Sequence, residues 1–440
     1  MKTRVAAFLV TAFVLRLAFG LCSEFWYEDE LQIYLIGLKF YTTGAWPYFG
    51  PDVVYTQTQI PGALQGLLVG GPLWLVALPE APYLLLNLLS TVSLGLLAWY
   101  IQRRVPDVPS WFLWSWVFFC PWTLNFSTHI VNPSYVLTGA IVFFVGALEL
   151  IPSVRARLVP EPLAFGSMGF GLLWVYQLTL SFPLLLPFVM LVFATAARGG
   201  WRRLAFGAAW FAFGAAIAGS TLAPTLLEYG PGASAGEFAA NVQFEPSNLL
   251  QFPHVVARFL SFASFELPRF IGRNTEARLH FLSEFPWAAP FAVFAGLCGI
   301  VQPFLLLIGF LRREGAPGWV AVKRLTLAAL LLICASFLFS VKDPASHTFY
   351  VTLPLAMIYA FYCWAPLFRS HAVRVAAAAL LVAGLITHVA IAIDRVHDRS
   401  LYANRALVLR AIQERNYTLL GERRPLMWRA GFGSAVALPR

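Results

Sequence analysis

Charge is what this sequence lacks. Only 12% of its 440 residues are charged and 59% are hydrophobic, with a mean hydropathy of +0.70. Soluble domains carry about twice that charged fraction. Apolar runs of about 18 residues or more recur along the chain, which is the length needed to cross a bilayer. The runs are continuous rather than alternating, so they are helices and not barrel strands. The fold class is therefore an all-α polytopic membrane protein.

Cysteine is scarce as well. Cys22, Cys120, Cys298, Cys334 and Cys363 are scattered, mostly inside apolar runs. Their spacing fits neither a metal site nor a disulfide framework. Lysine occurs only at 2, 39, 323 and 342, so the net charge of +10 comes almost wholly from arginine. The arginines stand mostly in pairs beside apolar runs, as in loops that orient a membrane protein. No nucleic-acid motif accompanies them, and there is no internal repeat, so no nucleic-acid partner is expected.

Acidic residues number 21, and four of them (Glu24, Glu28, Asp29 and Glu30) fall within seven positions. They follow the first apolar run, Val5–Cys22. Lys2 and Arg4 ahead of that run resemble a signal peptide, but the run contains Arg16 and no small-x-small site follows, so it reads as an uncleaved first span. The remaining spans are expected at about 83–101, 111–128, 133–151, 163–178, 182–197, 203–224, 287–311, 320–340, 347–366 and 373–393. That makes about 11 transmembrane helices, or 12 if 62–78 also spans.

Gly62–Leu78 decides the topology. If it crosses, Arg103-Arg104, Arg155/Arg157, Arg198/Arg202/Arg203 and Arg312-Arg313 all fall outside, against the positive-inside rule; if it dips or lies flat, all fall inside. Gly62, Gly66, Gly70, Gly71 and Pro72 suit a broken segment, and the second reading is adopted. The N-terminus is then cytoplasmic. Residues 1–394 form a transmembrane domain with outer loops 23–82 and 225–286, both with interfacial helices. Residues 395–440 form a short basic tail on the outer side, with a surface helix near Leu401–Arg415. The tail's nine arginines run against the charge rule. In the long loop, 247–271 has the spacing of an amphipathic surface helix.

The chemistry-bearing candidates share that outer side. Asp29 and Glu30 open a short helix, where a carboxylate is favoured by the helix dipole and is also rigidly placed to take a proton from a hydroxyl. Arg16 lies deep in the first span, where ionisable residues usually face the bundle interior, and reads as a structural arginine that snorkels or pairs with a carboxylate. His129 and Asn132 sit at a turn between spans. Lys342, His347 and Tyr350 belong to a late turn, where a lysine outside could meet a phosphate. Arg258, Arg269 and Arg273, with Arg278 and His280, form a second cationic group, read either as a phosphate site or as headgroup contacts.

Taken together, Arg16-Leu17 in a first span, Asp29-Glu30 after it, Ile60-Pro61, Asn132-Pro133, Leu178-Thr179 with Phe182-Pro183, and Lys342 with Tyr350 and Pro354 resemble the GT-C type of integral-membrane glycosyltransferases. It resembles especially the protein O-mannosyltransferase and aminoarabinose transferase kin, the family 39-like group. The resemblance implies a polyprenyl-phosphate sugar donor and transfer on the extracytoplasmic face of the plasma (inner) membrane. It implies inversion, with Asp29 as general base and cations stabilising the leaving phosphate. The substrate-binding set it suggests is Lys342, His347, Tyr350, Asn132, His129, Gln59, Arg258, Arg269 and Arg273. The acceptor is left as lipid, glycan or protein, and a divalent metal is left open.

The chain departs from the pattern in three places. Asn132 stands where a carboxylate is frequent, Gln57-Thr58-Gln59 replaces a basic residue, and the carboxyl-terminal domain is reduced to a tail. A transporter or flippase of a lipid-linked substrate, or a catalytically silent scaffold, are the alternatives. A transporter would want repeated halves and further intramembrane charges, and the sequence has Arg16 and little else.

Overall fold

The computed structural model describes residues 2–24, 28–53, 58–131, 133–230, 242–272, 274–313, 315–340, 344–397 and 399–421; within these, the side chains of 2, 28, 29, 52, 53, 58, 399–401 and 421 are not described. The chain is almost entirely helical. Six described helices are long and apolar enough to cross a membrane: α1 (Lys2–Ser23), α4 (Ala81–Arg104), α15 (Ala289–Phe310), α16 (Trp319–Leu338), the stretch Ser346–Arg369 that contains α17 (Leu353–Trp364), and α18 (His371–His397). A seventh is formed if α10 (Trp201–Gly219) and α11 (Ala223–Tyr229), bent by 77°, count as one span. The other expected spans are shorter apolar helices: α5 (Ser110–Phe119) with α6 (Pro121–Phe126), α7 (Val136–Leu150), α8 (Glu161–Tyr176) and α9 (Leu186–Arg198).

The break between α5 and α6 explains Arg16. Pro121 has no N–H, so the Val117 carbonyl loses its helical donor. Thr123 Oγ1 donates to it instead at 2.8 Å. Arg16, fully buried on α1, donates to the Phe118 carbonyl at 2.5 Å and to Ser127 Oγ at 2.6 Å. Arg16 neither snorkels nor meets a carboxylate. It satisfies the carbonyls that a helix break exposes, which in lipid would otherwise be costly.

The segment after the acidic cluster folds back on itself. α2 (Glu28–Thr43) leads into a hairpin of β1 (Phe49–Val53) and β2 (Thr58–Pro61), antiparallel with Asp52 opposite Gln59. Gly62, at φ +108°, turns the chain into α3 (Leu64–Leu75). With 12 residues, α3 is about 18 Å long against a hydrocarbon core of about 30 Å, so it does not cross by itself. It packs backbone to backbone on α2: a methyl at Gly37 would lie 2.5 Å from Val69 Cγ1, and one at Gly70 would lie 2.3 Å from the Gly37 carbonyl. Ile33, Tyr34 and Leu38 are buried as a result.

Side-chain contacts sort the connecting segments between the two ends of the bundle. At one end Arg104 pairs with Glu149 at 3.4 Å, Arg203 with Glu161 at 2.8 Å, and Lys323 donates to the Arg312 carbonyl at 2.7 Å. At the other end the Ser127–Tyr135 turn meets the end of α1, and Asn248 donates to the Phe337 carbonyl. The tail helix α19 (Arg399–Gln413), followed by the short α20 (Thr418–Gly421), returns to that second end through Arg405. The described part of the tail thus lies with α2, away from the paired arginines.

Residues 247–271 are not one surface helix. A 3₁₀ turn (Pro246–Gln251) leads into α12 (Phe252–Ser261), then α13 (Pro268–Ile271) and α14 (Thr275–Glu284). Prolines at 253 and 268 divide them. Phe259, Phe262, Phe265 and Leu267 are buried; Phe262 meets Trp122 and Tyr350, and Phe265 meets Trp116. The apolar face is spent on the bundle, which offers closer packing than lipid.

Candidate functional site

α12, α13 and α14 lean against α15 and enclose a cleft of about 1400 Å³. One wall carries charge. Arg258 and Glu266 form an ion pair. Trp122 Nε1 donates to the same carboxylate at 3.3 Å, and the Arg269 guanidinium lies 5.0 Å from the centre of the Trp122 ring. Arg278 Nε donates to the Pro268 and Gly272 carbonyls at 2.9 and 3.0 Å, which ties α14 to the turn below it. The opposite wall is α15, with Gly296, Gly299, Ile300, Pro303 and Phe304. Ile300 and Phe304 are about 60% exposed on the outer surface of the helix (59% and 63%), so this wall continues onto the face that meets lipid.

The electrostatics favour an anion. The described charged lining is four arginines (Arg258, Arg269, Arg278, Arg395) against Glu266, Glu276 and Asp394. Burial lowers the pKa of Arg258, and repulsion from Arg269 and Arg278 lowers it further. Burial likewise lowers that of Arg269.

The expected site residues fall into three groups. Arg258 and Arg269 are brought together in the cleft, and Arg278 joins them. Asp29 and Glu30 lie in the first turn of α2; Glu30 is buried, and the Asp29 side chain lies outside the described residues, as do Asn132, Arg273 and Lys342. His347 is exposed at the start of a 3₁₀ turn (Ser346–Thr352). Tyr350 is buried behind the cleft, its hydroxyl donating to the Trp122 carbonyl at 3.1 Å. Gln59 stands apart, beside a pocket of only about 30 Å³ with Lys39, Trp46 and Tyr48.

His129 is locked in its turn. Its Nδ1 is 2.6 Å from the Asn125 carbonyl and its Nε2 is 2.8 Å from Ser23 Oγ. Burial, with Arg395 and Arg405 nearby, pulls its pKa down to about 4, so it is neutral near pH 7. This chain of contacts links the cleft rim to the end of α1. Asp394 and Arg395 at the cleft rim end α18, whose His388 meets Phe19 and Asn125.

Sequence reasoning missed Glu266 and Trp122. A signal was present for the first: Glu266 is the lone acid between Glu245 and Glu276 in a cationic stretch. Nothing marked Trp122, because its role depends on the break at Pro121. Among the described residues, no three His, Cys, Asp or Glu side chains gather as metal ligands would.

A helical bundle with six described helices long and apolar enough to cross a membrane, and a short helix pair folded back after the first of them, is the architecture of a multi-pass membrane protein. No family model and no curated protein matches the sequence. Among solved structures, the crystal structure of ArnT from Cupriavidus metallidurans bound to undecaprenyl phosphate shares the fold, at a TM-score of 0.50 and 13% identity. The match covers 98% of this chain and 78% of that one.

Proposed function

We propose that this protein is a glycosyltransferase that moves a sugar from a polyprenyl-phosphate donor to an acceptor hydroxyl, with inversion. The observation that carries this reading is the cleft between α12–α14 and α15. It offers guanidinium groups on one wall and a lipid-facing apolar surface on the other, the two halves that a polyprenyl phosphate requires. The similarity in fold to a protein solved with undecaprenyl phosphate bound supports the same ligand class.

In this reading Asp29, at the start of α2, takes the proton of the acceptor hydroxyl. The acceptor oxygen attacks the anomeric carbon from the face opposite the phosphate. The bond between that carbon and the phosphate oxygen breaks, and polyprenyl phosphate leaves with the bonding pair. Arg258, Arg269 and Arg278, with Arg273 and Lys342, stabilise the charge that develops on it. Glu30 supports Asp29. The paired arginines at the opposite end of the bundle support a reaction on the extracytoplasmic face.

The test is incubation of the purified protein with polyprenyl-phosphate sugars and cell-envelope extract, followed by mass spectrometry of products. Wild type is expected to release polyprenyl phosphate and glycosylate an acceptor, and Asp29→Asn to do neither while accumulating normally. Retained transfer by Asp29→Asn would remove Asp29 as the base. Failure of the wild type to bind any polyprenyl phosphate would remove the donor class.

A further inference from the structure

The acidic cluster after α1 has a partner in the distant tail. Glu24 is buried, its side chain fully shielded. A carboxylate in such a place is costly unless a cation accompanies it. Arg405 Nη2, on α19, lies 3.7 Å from Glu24 Oε2. The same nitrogen donates to the Leu21 carbonyl at 2.5 Å. That carbonyl is in the last turn of α1 and has no N–H of the same helix to accept from. The Arg405 guanidinium also lies 5.6 Å from the centre of the Tyr83 ring on α4. One side chain therefore joins the end of α1, the first residue of the outer loop, and α4.

The rest of the tail holds the far end of α2. Val408, Ala411 and Ile412 form the buried face of α19. Beyond it, Arg415, in the left-handed region at φ +47°, lies over Tyr41 at 5.5 Å. Lys39 of α2 lies 5.9 Å from the ring of Tyr417. The segment 399–421 thus ties down the residue five positions before Asp29 and the last turn of the helix that Asp29 opens.

We infer that Arg405 is a positioning residue: by fixing Glu24 and the end of α1, it sets the place at which α2 begins and presents Asp29. This rests on the reading of Asp29 as the general base. It also accounts for arginines on the side of the bundle where the charge rule disfavours them. Arg405 serves as a counter-ion for a buried carboxylate and as a cap for a helix end. A displacement of about 1 Å at a reacting group can cost about 10²-fold in rate.

The test compares wild type, Arg405→Ala, Arg405→Lys and Glu24→Gln by hydrogen exchange of α2 and by turnover. Exchange reads the tie whether or not transfer is detected. Arg405→Ala is expected to speed exchange in residues 28–43 about tenfold, and to lower kcat about 10²-fold with donor KM within about threefold. Arg405→Lys restores most of both. If Arg405→Ala does not accumulate, Glu24→Gln, which keeps the side-chain shape and removes the ion pair, is read in its place. Unchanged exchange in both Arg405→Ala and Glu24→Gln overturns the inference, as does faster exchange with unaltered kcat. A wild type that transfers nothing from polyprenyl donors defeats the proposed function instead, and the exchange data still decide whether Arg405 holds α2.

Discussion

Trp122 and Glu266 meet across 144 positions of sequence, the indole N–H donating to the carboxylate at 3.3 Å. Trp122 stands in the second position of a helix begun by Pro121, and its ring also receives Arg269. The break in the α5–α6 path therefore supports the charged wall of the cleft. Trp122→Ala is expected to cost about 3–5 kcal/mol of stability through the void it leaves. Trp122→Phe should cost less, through the lost hydrogen bond and a smaller void. Thermal unfolding in detergent, compared across the three proteins, checks the ranking.

The cleft predicts substitutions of opposite sign. Arg258→Gln and Arg269→Gln should each weaken binding of polyprenyl phosphate about tenfold, the cost of one charge-assisted hydrogen bond. Glu266→Gln should tighten it, because Arg258 loses its internal partner while the cleft gains one unit of positive charge. Titration by native mass spectrometry reads all three, and equal weakening by Glu266→Gln would contradict the anion-binding role.

Neighbouring glycines on α3 should behave differently. Gly70→Ala places a methyl 2.3 Å from the Gly37 carbonyl, a contact that backbone cannot relieve without separating α2 from α3. A loss of about 1–3 kcal/mol is expected, along with loss of activity. Gly71→Ala meets nothing within 4 Å and should be neutral or stabilising by up to about 1 kcal/mol. Melting temperatures and transfer assays on the pair separate packing from general intolerance of α3.

His129 predicts an acid-sensitive fold. Its pKa in the folded protein is about 4, below the ordinary value of 6.5. Between those values the unfolded state binds the proton and the folded state does not, so stability falls as pH drops from about 6.5 to about 4 and is level below that. The shift corresponds to roughly 3 kcal/mol at most. His129→Gln should flatten that part of the stability–pH profile, and an unchanged slope would assign the acid sensitivity elsewhere.

Much of the architecture was legible because burial in lipid leaves a one-dimensional trace. A span must be apolar over its whole length and its ends must carry charge, so run lengths and arginine pairs located the helices and grouped the loops. The same bookkeeping indicated that Gly62–Leu78 does not cross, and α3, with 12 residues, has about three-fifths of the required length. It also put Arg16 towards the bundle interior, although the carbonyls it satisfies depend on a proline more than 100 residues away. Of the site, Arg258 and Arg269 were legible as a cationic group. Their convergence with Glu266 and Trp122 was not, because residues 247–271 looked like one surface helix and prolines 253 and 268 divide it.

The sequence by itself determined that the chain is a bundle of membrane helices with its acidic cluster just after the first span. Hydropathy and charge act locally along the chain and need no partner to be read. Only the tertiary structure decided that Glu24 is buried, that Arg405 from the tail reaches it, and that the arginines of the long segment line a cleft against α15. Those pairings join residues from tens to hundreds of positions apart, and they arise from the balance of desolvation, helix capping and packing once the helices are assembled. No composition or spacing rule encodes that balance.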